Sequence, residues 1–161
     1  MKWHILHVKP RCEKKMADYC KHYPFAYYLP LRKECKIYQR RKVTVEKPLF
    51  PGYLFVEFEE PGRELILKTN YVVRILTPVN QPQLLFELEQ IRTALAVDPA
   101  LSATPALKRG SRVRIIAGPF MGIEGIVQSS KGAAKVWLNI EMIGQAVTVE
   151  TETSCLEIAT D

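Results

Sequence analysis

The residues of this chain that could do chemistry are mostly cations. Lys9, Arg11, Lys14 and Lys15 crowd one short stretch, and Arg40, Arg41 and Lys42 are consecutive. Residues 1–50 carry 13 Lys and Arg against 4 Asp and Glu, whereas residues 51–161 carry 10 against 13. A basic first third ahead of a mildly acidic remainder suggests that one end meets phosphate or an acidic surface. As a bare charge run, the first cluster reads more readily as a solvated helix face.

Catalysis and metal binding find little to build on. The sequence has no Gly-rich phosphate loop and no nucleophile motif. His4, His7 and His22 lie in the amino-terminal segment without an evident partnered acid, and His4 and His22 read as surface or packing residues. Cys12, Met16 and Cys20 recur at helical spacing on one face. With Cys35 and Cys155, the cysteines are expected to be small core residues of a reduced protein. Cys12, Cys20 and His22 match no structural zinc spacing. An enzyme is therefore not expected, and neither a metal nor a cofactor. No run reaches the roughly 18 apolar residues that span a bilayer. The first residues lack the apolar core of a signal peptide, so a cytoplasmic protein with no membrane partner is expected.

The elements that must position these residues are legible from hydrophobic period. Trp3 to Val8 alternates as a strand, and Glu13 to Tyr23 reads as a helix with Met16, Ala17, Cys20 and Tyr23 inward, stopped by Pro24. Ala26 to Leu31 is a second strand. Glu34 to Lys47 reads as a protruding charged hairpin with its tip at Gln39-Arg40-Arg41-Lys42. Pro48 to Gly52 makes a rigid turn into a strand at Tyr53 to Phe58. A short helix from about Arg63 to Thr69 and a strand at Val72 to Leu76 follow. A helix beginning near Pro82 carries Leu84, Leu88, Ile91 and Leu95 on its core stripe, with Leu85 and Phe86 off it. This is an α+β domain over residues 1–96. Residues 97–107, with two prolines and no apolar period, read as an extended linker. From 108 to 161 the period becomes 2, with Gly118-Pro119, Ser130-Lys131-Gly132 and Ile143-Gly144 as breaks. Strands at 112–116, 125–128, 134–140, 146–149 and 156–158 predict a small closed five-stranded barrel.

Two segments together resemble one family. Pro48-Leu49-Phe50-Pro51-Gly52-Tyr53-Leu54-Phe55-Val56-Glu57 is similar to the central motif of the NusG amino-terminal domain. Gly110 to Val127, running Gly-Ser-Arg-Val-Arg-Ile-Ile-Ala-Gly-Pro-Phe-Met-Gly-Ile-Glu-Gly-Ile-Val, is similar to the KOW motif that opens an SH3-like barrel. Their order and spacing extend the resemblance over nearly the whole chain. It identifies a transcription elongation or antitermination factor of the NusG/RfaH family.

The resemblance implies that the first domain binds the clamp helices of RNA polymerase. Phe50, Tyr53 and Phe55 are then expected to line the groove, bordered by His7 and extended by Leu85, although without the motif these aromatics read as ordinary core. It places Lys9, Arg11, Lys14 and Lys15 near the DNA of the elongation complex. Arg40 and Arg41 are an equal alternative for that contact, and Lys68-Thr69-Asn70 is a candidate contact to a polymerase lobe. In the barrel, Phe120, Ile123, Met142, Ile143 and Gln145 are the expected docking residues for termination factor Rho or a small-subunit ribosomal protein. Met142-Ile143-Gly144-Gln145 departs from the family's usual Phe-Gly-Arg character, which weakens the case for Rho and points to a specialised, RfaH-like paralogue. A monomer is expected. The competing reading is a translation-associated KOW protein on ribosomal RNA, against which stand Glu124, Glu141, Glu150, Glu152 and Glu157 in the barrel.

Overall fold

A computed structural model describes residues 1–23, 25–130 and 132–159. Pro24, expected to stop the first helix, and Lys131, in an expected turn, lie outside the described residues. The chain divides into two compact units, residues 1–31 with 47–84 and residues 32–46 with 85–161. Among the described residues no helix is long and apolar enough to cross a membrane.

The first unit is a four-stranded sheet. Strand β1 (Lys2–Val8) lies between β5 (Tyr53–Phe58) and β6 (Val72–Leu76), and β2 (Ala26–Tyr28) pairs with the far edge of β5, every pair antiparallel. Helix α1 (Glu13–His22) opens with an acid and closes with Lys21 and His22, matching the charges of its dipole. Its Met16, Ala17 and Cys20 pack with Leu6, Val8, Leu54, Val56 and Phe58, and with Ile66 of α2 (Gly62–Lys68). Simple alternation would leave the opposite face of β5 half exposed. Instead Phe55 and its cross-strand partner Ile5 are fully buried, as are Leu49 and Phe50.

The second unit takes in most of a hairpin, most of a long helix and a second sheet. The hairpin is β3 (Leu31–Tyr38) and β4 (Arg41–Pro48), a two-stranded sheet of its own. Its turn is the pair Gln39-Arg40, both left-handed at φ 48° and 65°, the mirror-type turn whose twist matches hairpin strands. Cys35 lies exposed on β3, so it is not the core residue expected; a two-stranded ribbon has no second layer to bury it. Helix α3 (Gln81–Val97) spans the division between the units. It starts where the Asn80 side chain accepts the Gln83 N–H (3.0 Å). Its buried stripe is Leu84, Leu88, Ile91 and Ala94; Leu95, expected on that stripe, is only half buried.

The remaining sheet has six strands rather than five, in the order β12-β8-β9-β10-β11-β7. These are β7 (Ala103–Pro105), β8 (Ser111–Ile115), β9 (Glu124–Ser130), β10 (Ala133–Ile140), β11 (Gln145–Glu152) and β12 (Leu156–Ile158). The extra strand comes from the segment read as linker. It pairs with β11 at the sheet edge, where a proline without an N–H is tolerated. Asn139 secures the chain after it, its Oδ1 accepting from Leu107 N (3.1 Å) and its Nδ2 donating to Leu107 O (2.8 Å). Gly125 is needed for close approach: a Cβ there would lie 2.5 Å from the Trp137 carbonyl.

Candidate functional site

The β1–β5 register sets the first part of the site. His7 pairs with Tyr53 on one side and with Arg74 of β6 on the other. Cross-strand partners share a face, so Tyr53, His7 and Arg74 form a row. The His7 and Tyr53 rings stack at 5.1 Å between centroids with planes 19° apart. Both are half buried and Arg74 is exposed. The row therefore presents an aromatic, an imidazole and a cation, a surface suited to a partner with apolar and acidic side chains.

The turn before Tyr53 is held from both sides. Gly52 has φ +89°, which a side chain would strain, and a Cβ there would sit 3.5 Å from His7 Cδ2. Its N–H donates to the Glu13 carboxylate (2.8 Å), and its carbonyl accepts from Val8 N (2.8 Å). Glu13 is buried and is the first residue of α1. One carboxylate thus ties the start of the basic helix to the Pro51-Gly52-Tyr53 turn.

The basic cluster follows from the same junction. Lys9 N donates to Tyr71 O (2.8 Å) and Cys12 N to Lys9 O (3.0 Å), closing a tight turn in which Arg11 takes φ 64°. Lys9, Arg11, Lys14 and Lys15 are all exposed. Arg40 and Arg41 are exposed at the hairpin tip, in the other unit.

The expected site residues thus separate into surface and interior. Phe50 and Phe55 are core residues, 1% and 0% exposed, so neither side chain offers surface to a partner; the sheet is buried on both faces at that point. Tyr53 and His7 lie together at the surface. Leu85 and Phe86 are exposed on α3. In the six-stranded sheet, Ile123 is fully buried and is likewise interior. Phe120, Ile143 and Gln145 are half buried and Met142 is exposed. The Lys68-Thr69-Asn70 loop turns through Asn70 at φ 62°.

Glu13 and Arg74 carried no signal in the sequence. Glu13 looks like any acid in a first helical turn, and the position of Arg74 beside His7 depends on strand register. His4 was legible only as packing. It is buried, stacks on Phe58 at 3.9 Å, and lies 3.3 Å by Nε2 from Phe58 O and 2.9 Å by Nδ1 from Thr77 Oγ1. A carbonyl only accepts, so Nε2 carries the proton and Nδ1 accepts from the Thr77 hydroxyl. Burial lowers the His4 pKa below its usual 6.5, outweighing the Phe58 carbonyl that raises it. Burial alone pushes the Cys20 thiol up to about 12. Among the described residues no group of His, Cys, Asp and Glu could hold a metal ion.

With that geometry in view, comparison with known proteins gives the class. The NusG family model, described as transcription termination factor nusG, matches residues 1–93. The chain belongs to the NusG family. Among its relatives, the transcription termination/antitermination protein NusG of Deinococcus radiodurans is 29% identical over 133 residues, covering 71% of this chain and 70% of that one. The proteins of the same name from Neisseria meningitidis and Thermus thermophilus are 26% and 29% identical. They cover 80% and 71% of this chain and 76% and 69% of their own lengths.

Proposed function

We propose that this NusG-family transcription factor binds RNA polymerase through the row Tyr53, His7 and Arg74, with the polymerase clamp helices as its partner. The observation that carries the reading is the clamp on Gly52, which fixes Tyr53 against His7 at the sheet surface. A rigid aromatic in one row with an exposed arginine is the composition of a binding hot spot. Phe50 and Phe55 support this surface from beneath. The exposed Lys9, Arg11, Lys14 and Lys15 then contact DNA of the elongation complex by phosphate neutralisation.

The proposed organisation is a NusG amino-terminal domain over residues 1–96, a linker over 97–107 and a KOW-type SH3-like barrel over 108–161. Support for the barrel comes from the meander β8-β9-β10-β11 and the return of β12 to β8. Met142, Ile143, Gln145 and Phe120 offer side-chain surface for a recruited partner, Rho or a ribosomal protein, with Ile123 as the buried residue behind them. The barrel suits a protein partner better than RNA, since the exposed Arg114 is engaged by Glu124 (2.6 Å) and Glu157 (3.9 Å).

The test is binding to core RNA polymerase and to 30S ribosomal subunits at physiological salt. Polymerase binding lost in Tyr53→Ala, with the fold intact, is the expected result. Ribosome binding through residues 1–96, with none to polymerase, would overturn it. Lys14→Glu with Lys15→Glu should weaken binding to elongation complexes and spare an isolated clamp-helix fragment. Equal loss in both would remove the DNA assignment.

A further inference from the structure

The outer edge of β3 is used by the fold only at its base. There it takes up a piece of extended chain: Lys33 N donates to Pro99 O (2.7 Å), and the Arg32 guanidinium donates to Leu101 O (3.0 Å) and Ala100 O (3.1 Å). Backbone groups alternate sides along an antiparallel strand, so Cys35 and Ile37 turn their N–H and C=O outward as Lys33 does. Their sheet has two strands, and every residue from Cys35 to Thr44 is exposed. The edge therefore continues past Lys33 as open strand-pairing groups, with the Ile37 side chain 78% exposed beside them.

An open edge pairs with other strands unless something guards it. The guard here is charge: residues 35–44 hold Lys36, Arg40, Arg41 and Lys42 and no acid. A second copy laid along the edge would set these cations against their own equivalents, and like charges on paired strands repel. An acidic strand would be attracted by the same side chains. The strand period then says how its residues must alternate. Cys35 Sγ lies 3.8 Å from Thr44 Oγ1 across the ribbon. Counting out to the two-residue turn puts Lys36, Tyr38, Arg41 and Val43 on one face, and Cys35, Ile37 and Lys42 on the other. A residue on an added strand shares the face of the residue it opposes. An acid opposite Lys36, between aliphatic residues opposite Cys35 and Ile37, matches both faces.

We propose that the outer edge of β3, from Cys35 to Tyr38, binds an extended acidic segment of a partner protein by strand addition. The segment alternates Asp or Glu with aliphatic residues. Its aliphatic residues carry the N–H groups that bond β3, because they oppose the two residues whose backbone faces outward. A protein segment is favoured over nucleic acid by the edge itself. Outward N–H and C=O groups are spaced for another strand, and Ile37 has neither a ring to stack on a base nor a group to bond one. The inference is separate from the polymerase reading and uses none of Tyr53, His7 and Arg74.

The experiment uses the full chain and short fluorescein-labelled peptides of alternating Glu and Val, with fluorescence anisotropy at physiological salt. One peptide is unmodified, one is methylated at its valine nitrogens and one at its glutamate nitrogens. The unmodified and glutamate-methylated peptides should bind. Methylation of the valine nitrogens should weaken binding about tenfold or more, for two backbone hydrogen bonds lost. Lys36→Glu should weaken the acidic peptide about tenfold and gain binding to an alternating Lys and Val peptide. In the wild-type chain, amide exchange at Cys35 and Ile37 should slow when the unmodified peptide binds. No binding, equal loss from the two methylations, unchanged affinity in Lys36→Glu, or unchanged exchange at Cys35 and Ile37 would each overturn the proposal. So would displacement of the peptide by an oligo-dT that binds more tightly, which would make the edge a nucleic-acid surface. Tyr53 is untouched here, so failure of the polymerase reading is scored separately, by Tyr53→Ala.

Discussion

Phe55 and Tyr53 stand two residues apart on β5 and on the same side of the sheet, yet truncating them should damage different properties. Phe55 is fully buried against its partner Ile5. Phe55→Ala removes its transfer energy and leaves a cavity, a loss of about 3–5 kcal/mol. Tyr53 is half buried and its main specific contact is the His7 stack, so Tyr53→Ala should cost about 1 kcal/mol. With a denaturant slope of about 2 kcal/mol/M in urea, the midpoint should fall by about 2 M for Phe55→Ala and about 0.5 M for Tyr53→Ala. Binding to RNA polymerase should rank them the other way at temperatures where both remain folded. Loss of a hot-spot aromatic costs about 2 kcal/mol or more, a drop of about 30-fold. Urea melts followed by tryptophan fluorescence, paired with a polymerase binding isotherm, measure both. Equal midpoints for the two variants would refute the burial argument. Unchanged polymerase affinity in Tyr53→Ala would remove the Tyr53–His7–Arg74 surface.

Three further outcomes follow from the geometry. Glu13→Ala removes the acceptor of the Gly52 N–H and should cost about 1.5–3 kcal/mol, the range for a hydrogen bond to a charged group. Amide exchange at Gly52 should accelerate, Glu13→Gln should recover part of the protection, and an unchanged exchange rate in Glu13→Ala would dismiss the clamp. The lowered His4 pKa means that the unfolded chain takes up the His4 proton more readily than the folded one. Stability should therefore fall as pH drops from about 6.5 toward the folded-state value and level off below it. His4→Phe should lose that component of the pH dependence, and identical slopes in both proteins between pH 7 and 5 would refute it. A thiol reagent should modify Cys35 rapidly in the folded protein and reach Cys20 only on unfolding, since Cys35 is exposed and Cys20 is buried and held protonated. Fast labelling that survives Cys35→Ser would contradict this.

Most of the secondary structure was legible because each element carries its own period. Strands β5 and β6 fall at the residues that alternation marks, and α1 and α3 at those with helical spacing. The NusG family was legible too, because the Pro-Gly-Tyr strand and the Gly-rich segment near residue 118 are local patterns. Strand β7 was not, since three residues containing a proline have no period to detect, and only the open edge of β11 gives them a partner.

What the sequence determined by itself is the element order, the family and the basic character of the first third, all of which depend on residue type and short spacing. What tertiary structure alone decided is which side chains reach solvent. Phe50, Phe55 and Ile123 look like binding residues in the sequence and are interior in the fold, because strand alternation cannot show that a sheet is covered on both faces. Conversely, Glu13 and Arg74 have no distinguishing local pattern. They join the site only because Gly52 folds back onto α1 and β6 pairs beside β1, contacts that span tens of residues and follow from packing.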